Sequence, residues 1–146
     1  MYILPNGNAV GENVTSDHDR AALRERDCVM ESVEVLTLTQ LAAQHGIRRC
    51  DFVKIDIEGA DLLVLETGWE LVTNSRPVIL AEFNPYWMAQ LKQDFTDVRR
   101  RFDPLNYEYF REVDGEFKRL TDQLVAKPGD VPTYLLLPAE KASSIF

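Results

Sequence analysis

Between residues 31 and 139 the chain alternates apolar runs with amphipathic ones, and each change of period marks a predicted element. Val33, Val35 and Leu36 suggest a short strand. Thr37 or Thr39 can then cap a helix through Leu41, Ala42 and Ala43 that Gly46 ends. CDFVKIDI, residues 50–57, is the next predicted strand. From Ala60 to Val72 the residues Leu62, Leu65, Trp69 and Val72 recur at helical spacing, the stripe of a helix laid on a sheet. Gly68 costs that helix about 1 kcal/mol relative to alanine, so the last turn should bend or restart there. VILAEF, residues 78–83, is apolar without alternation, as a central strand requires.

After Pro85, YWMAQLKQDF predicts a helix with Trp87, Met88, Leu91 and Phe95 as its apolar stripe. In YEYFREVDGEFKRL, Asp114 and Gly115 form a turn between two extended pieces, and TYLLLPA, residues 133–139, is a last strand. The first thirty residues carry less pattern: PNGN at 5–8 is a turn, and DHDRAALRER is a short surface helix with Asp17 or Asp19 near its start. Strand, helix, strand, helix and then an antiparallel tail is an α/β order, in which the parallel strands need helical crossovers. Residues 1–146 are read as one domain, with 1–30 a poorly defined N-terminal segment and 31–139 the α/β core.

The composition narrows the function. At 146 residues and 45% apolar content, with five Tyr, seven Phe and two Trp, the chain can bury a real core. Sixteen basic against twenty-four acidic residues give a formal charge of −8, the wrong sign for general nucleic-acid binding. Arg99, Arg100 and Arg101 form a local basic run, read as a solvated loop or helix face or as a small anion contact. Cys28 and Cys50 show no ligand-like spacing, and His18 and His45 sit in polar or helix-end contexts, which gives zinc chemistry little support. The start MYILPNGNAV lacks a basic leader, and no run approaches the roughly 20 apolar residues of a membrane span. A soluble, cytoplasmic chain is expected.

Candidate chemistry concentrates in VKIDIEGAD, residues 53–61. If the strand runs straight, Lys54, Asp56 and Glu58 share one side while Val53, Ile55 and Ile57 take the other. Gly59 permits a sharp exit and a close backbone approach to a ligand. One reading pairs Lys54 with a neighbouring acid and lets Asp56 or Glu58 cap the next helix. The other places these acids in the crevice at the C-terminal strand ends, where open α/β sheets bind ligands. ILAEFNP favours the second, because it sets Glu82 and Asn84 at the end of the next central strand. Asp56, Glu82 and Asn84 are also hard oxygen donors of the type that magnesium takes.

VEVLTLTQL, FVKIDIEGADLLVLETG and RPVILAEFNP together resemble the later half of the FkbM family of S-adenosylmethionine-dependent methyltransferases, well over residues 30–85 and loosely to the last strand. KIDIEGAD carries the strongest likeness, with Asp61 where that family usually has glutamate. The resemblance implies a partial Rossmann-like methyltransferase fold, its central sheet mostly parallel and its C-terminal part antiparallel. It implies methyl transfer to a hydroxyl of a small molecule or sugar-containing acceptor. Asp56, Glu58 and Gly59 would border the cofactor, and Lys54 would support that rim. Glu82 would close it, and Asp56 is the favoured general base for the acceptor hydroxyl. Asn84, Tyr86 and Trp87 fall where an acceptor would lie, with core packing as the alternative for the two aromatics. NPYW also resembles the Asn-Pro-Pro-aromatic motif of amino-group methyltransferases, but it lacks the second proline and follows the wrong strand.

The family's glycine-rich cofactor turn is expected upstream of the matched region, and Gly7 and Gly11 do not supply it. The expectation is therefore a fragment of a longer protein or a relic domain, in the second case a noncatalytic one acting through protein association. A missing first strand would leave an edge of residues 52–57 bare, inviting a homodimer unless MYIL covers it.

Overall fold

The computed structural model describes residues 35–142, other than 58 and 128, together with short strands near the N-terminus. The turn at 5–8, the helix at 17–26, and Gly7, Gly11, His18, Cys28, Val33 and Glu58 lie outside the described residues. The chain divides into two units, Met1–Val35 and Leu36–Phe146. In the first, β1 (Tyr2–Ile3) pairs antiparallel with both β2 (Ala9–Val10) and β3 (Val29–Met30), in the order β2-β1-β3.

The second unit opens with α1 (Leu38–Gln44), fixed by local chemistry. Thr37 Oγ1 accepts from the Gln40 amide at 3.1 Å while Gln40 Oε1 accepts from the Thr37 amide at 2.9 Å, a reciprocal cap. Gly46, at φ +64°, follows its end. Val35 and Leu36 are irregular rather than the predicted strand. Strand β4 (Phe52–Ile55) leads into α2 (Asp61–Thr67) and α3 (Trp69–Ser75), which part at Gly68 as its helix cost predicts. The break has a second cause. A Cβ on Gly68 would lie 2.5 Å from Leu38 Cγ, so glycine makes room for the start of α1. The Leu38 amide donates to Thr67 Oγ1 at 2.9 Å, and the Thr39 hydroxyl donates to the Thr67 carbonyl.

After β5 (Val78–Ala81) the predicted single helix proves to be two, α4 (Pro85–Gln90) and α5 (Phe95–Phe102). Lys92 turns left-handed at φ +57°, and an Asp94–Asp97 capping box starts a new helix at Phe95. A 3-10 turn at Asp103–Leu105 precedes β6 (Tyr107–Val113) and β7 (Glu116–Arg119), joined through Asp114 and Gly115 at φ +57° and +82°. The chain then forms β8 (Tyr134–Pro138) and α6 (Ala139–Ala142).

These strands form a five-stranded sheet in the order β4-β5-β8-β6-β7. The β4–β5 pair is parallel, its crossover being α2 and α3, whereas β5–β8, β8–β6 and β6–β7 are antiparallel. The fold is therefore α/β with a mixed, mostly antiparallel sheet. The expectation of a partial Rossmann-like fold with a mostly parallel sheet is incorrect, because β8 inserts between β5 and β6 against the direction of both. Among the described residues β4 has one strand neighbour and stands at the sheet edge.

On one sheet face Ile79, Ala81, Leu136, Tyr134 and Tyr107 pack under Leu62, Leu65, Val72, Met88, Val98 and Phe102 from α2 to α5, with Val53 and Ile55 at the margin. Each large side chain buried there contributes roughly 1.5–3 kcal/mol, so this layer dominates the stability. The other face carries Val78, Phe110, Leu135, Leu137 and Phe117 with Ala142 of α6.

A polar staple fastens α6. Arg76, left-handed at the end of α3, donates through Nε and Nη2 to the Glu140 carboxylate at 2.6 and 2.7 Å and through Nη1 to the Leu105 carbonyl at 2.6 Å. Lys141 Nζ donates back to the Arg76 carbonyl at 2.6 Å. The Arg76 hydrogen bond holds the Glu140 carboxyl down at about 2. A depressed carboxyl pKa stabilises the fold above the unfolded value and ceases to do so as pH falls through the folded one. Because Glu140 is half-exposed, the pair contributes about 0.2–1 kcal/mol. Glu140→Gln should lower Tm by about 1–4 °C at pH 7, with the difference from wild type shrinking as pH is taken from 5 toward 2 in a series of thermal melts.

Candidate functional site

The parallel pair fixes the site. Register aligns Phe52 with Val78 and Ile55 with Ala81, so the next residues, Asp56 and Glu82, leave from neighbouring strand ends. Lys54, opposite Leu80, is exposed. Lys54, Ile55, Asp56, Ile57 and Val64 line an open hollow of about 390 Å³ beside β4.

From there the chain turns at Gly59, whose φ is +84°. A Cβ at this position would stand 2.5 Å from Trp87 Cβ, 2.7 Å from the Trp87 carbonyl carbon and 2.8 Å from the Met88 amide nitrogen. The turn after β4 is thus pressed onto the backbone of α4, and glycine is what allows it.

At the second strand end Glu82 Oε1 accepts from Asn84 Nδ2 at 2.9 Å, and Asn84 Oδ1 accepts from the Tyr86 amide at 3.0 Å. Asn84 is 7% exposed and is the N-cap of α4. Between these two polar residues Phe83 adopts φ +41° and buries its ring 6.1 Å from both Phe95 and Tyr134. Tyr86 is 56% exposed, and its ring meets that of the half-buried Trp87 at 4.9 Å, edge to face.

One residue given no site role from the sequence lies here as well. Asp61, at the first position of α2, is completely buried, and among the described residues neither carboxylate oxygen has a hydrogen-bond partner. Burial raises its pKa. The backbone amides of Asp61, Glu82 and Gly59 lie close enough to pull it down without closing a hydrogen bond of normal geometry, and the Glu82 charge pushes it further up. The signal available in the sequence was an acid in a first helical turn, which ordinarily complements the helix dipole from solvent.

Of the sequence-predicted residues, the structure therefore brings Lys54 and Asp56 into one hollow, Glu82, Asn84 and Tyr86 into one hydrogen-bonded turn, and Gly59 onto Trp87. Glu58 falls outside the described residues. Among those residues no three His, Cys, Asp or Glu side chains gather as a metal cluster requires. The Asn84 oxygen proposed for magnesium is already turned to the Tyr86 amide. His45 is exposed at the end of α1. The basic run is a helix face whose members have partners: Arg99 lies 5.7 Å over Tyr109, Arg100 pairs with Asp97 at 2.5 Å and Arg101 with Glu66 at 2.6 Å. No helix of the described residues is long and apolar enough to cross a membrane.

No curated protein and no solved structure matches the chain. The family model described as the methyltransferase FkbM domain matches residues 7–109. This span starts further upstream than the likeness at 30–85 and contains both strand ends, their acids and the turns that hold them. On that match, which covers most of its 146 residues, the chain belongs to the FkbM methyltransferase-domain family.

Proposed function

We propose that this chain supplies the acidic strand-end rim of an S-adenosylmethionine-dependent methyltransferase that acts on a hydroxyl of a small molecule or sugar. The observation that carries this reading is the register of β4 on β5, which sets Asp56 and Glu82 side by side at parallel strand ends. The donor set fits the methionine end of the cofactor. Carboxylates suit an ammonium and a sulfonium, and the one buried carboxylate at the site, Asp61, has no cation beside it among the described residues. When bound, S-adenosylmethionine supplies an electrophilic methyl group on a positively charged sulfur.

The chain's own residues divide the remaining work. Glu82 is held by Asn84 and presents a fixed negative charge at the rim. Asp56 is exposed in the hollow and can accept the proton of an acceptor hydroxyl, with Lys54 in the same hollow to orient the substrate oxygen. Tyr86 offers an exposed aromatic face to an acceptor next to the same turn.

Calorimetric titration with S-adenosylmethionine at pH 7.5 tests the reading. Saturable binding is expected, and Glu82→Gln should weaken it by about tenfold, equivalent to about 1.4 kcal/mol. Asp56→Asn should change affinity less than Glu82→Gln does. No heat at millimolar cofactor would remove the proposal and leave a noncatalytic chain acting through association.

A further inference from the structure

We propose that Asp61 is a positioning residue of the strand-end rim, a buried carboxyl that couples the Gly59 turn to Glu82 and is kept at a cost in fold stability. In treating the strand ends as a binding rim, this rests on the function proposed above. Packing alone gives no reason for an acid at this position. The side chain is fully buried, and among the described residues its oxygens have no hydrogen-bond partner and no cation near them. Asparagine, alanine or leucine would start the same helix without the desolvation penalty of a carboxylate. Its surroundings explain its presence better. The amides of Gly59 and Asp61 come from the segment after β4, and the Glu82 amide comes from the segment after β5, so the carboxyl sits between the two pieces of backbone that carry the rim acids. The Gly59 turn is also pressed on α4 at Trp87 and Met88, which are uncharged, so the charged side chain acting on Asp61 from a neighbouring element is Glu82.

The sign of the pH dependence follows. Burial raises the Asp61 pKa above its unfolded value near 3.9. A raised carboxyl pKa favours the fold fully below the unfolded value, and that contribution is lost as pH rises through the folded one. As pH rises toward neutral the fold therefore loses the contribution of the protonated group, which stands beside a second acid.

The test uses the full chain without ligand. In thermal melts the Tm of Asp61→Asn minus that of wild type should grow with pH, reaching about 3–6 °C by pH 7.5. In carbon-13-labelled wild type, the Asp61 carboxyl should titrate above the ordinary aspartate range. The backbone amide resonances of Gly59 and Glu82 should shift with the same midpoint, and should not do so in Asp61→Asn. The wild-type titration decides the matter even if the variant does not fold. An Asp61 carboxyl titrating at or below about 3.9, or Gly59 and Glu82 amides that do not respond at the Asp61 midpoint, would overturn the proposal and make Asp61 an ordinary structural side chain. None of these measurements contains S-adenosylmethionine, so a failure of cofactor binding bears on the proposed function alone.

Discussion

Gly59→Ala should be among the most damaging single-methyl changes in the described residues, costing about 2–4 kcal/mol from overpacking plus a left-handed backbone. The added carbon would lie 2.5 to 2.8 Å from Trp87 Cβ, the Trp87 carbonyl carbon and the Met88 nitrogen. Those atoms belong to the helix backbone or its first side-chain carbon, so no rotamer change clears them. The left-handed φ of +84° adds about 1 kcal/mol for any residue with a Cβ. Two other glycines separate these effects. Gly68→Ala carries the packing term without a left-handed one, because its methyl would lie 2.5 to 2.8 Å from Leu38 Cγ, Cδ2 and Cβ and the start of α1 must shift, against a gain of about 1 kcal/mol of helix propensity. Gly115→Ala meets open space at φ +82° and carries the backbone penalty alone. Urea unfolding of the three variants should rank Gly59 well above Gly115. Equal losses at the two would mean that the turn after β4 does not rest on α4.

Elements governed by neighbouring residues were legible in the sequence. Thr37 with Gln40 starts α1, Asp114-Gly115 closes the β6–β7 hairpin, and Gly68 breaks the helix, each through atoms a few residues apart. The place of β8 inside the sheet was not legible. YLLLP is equally apolar whether β8 runs with β5 or against it, and its insertion between β5 and β6 depends on contacts distant in sequence. The stripe Trp87, Met88, Leu91, Phe95 has helical spacing throughout, so periodicity joined two helices that Lys92 and the Asp94 cap keep apart. At the site, Asp56 and Glu82 were readable because each directly follows an apolar strand. Asp61 was not picked as a site residue because part of its surroundings, the backbone at Glu82, lies about twenty residues away in sequence.

Phe83 tests how the second strand end holds its shape. Phe83→Ala should lose about 3–5 kcal/mol, since the ring is 1% exposed and packs on Phe95 and Tyr134. Phe83→Gly removes the same ring, yet it should be the more stable of the two by about 1 kcal/mol, because glycine accepts φ +41° without the left-handed penalty. This inverts the usual order, in which glycine is the worse replacement in extended chain. Chemical unfolding of both variants gives the comparison directly, and an alanine variant more stable than the glycine one would show that the backbone is not left-handed at this residue. The conformation matters because it sets the residues on either side. With the ring anchored inward, the Asn84 amide reaches Glu82 at 2.9 Å and its oxygen caps α4. Freeing Phe83 should therefore loosen Glu82 as well as destabilise the fold, and under the proposed function both variants should bind S-adenosylmethionine more weakly than wild type at temperatures where they remain folded.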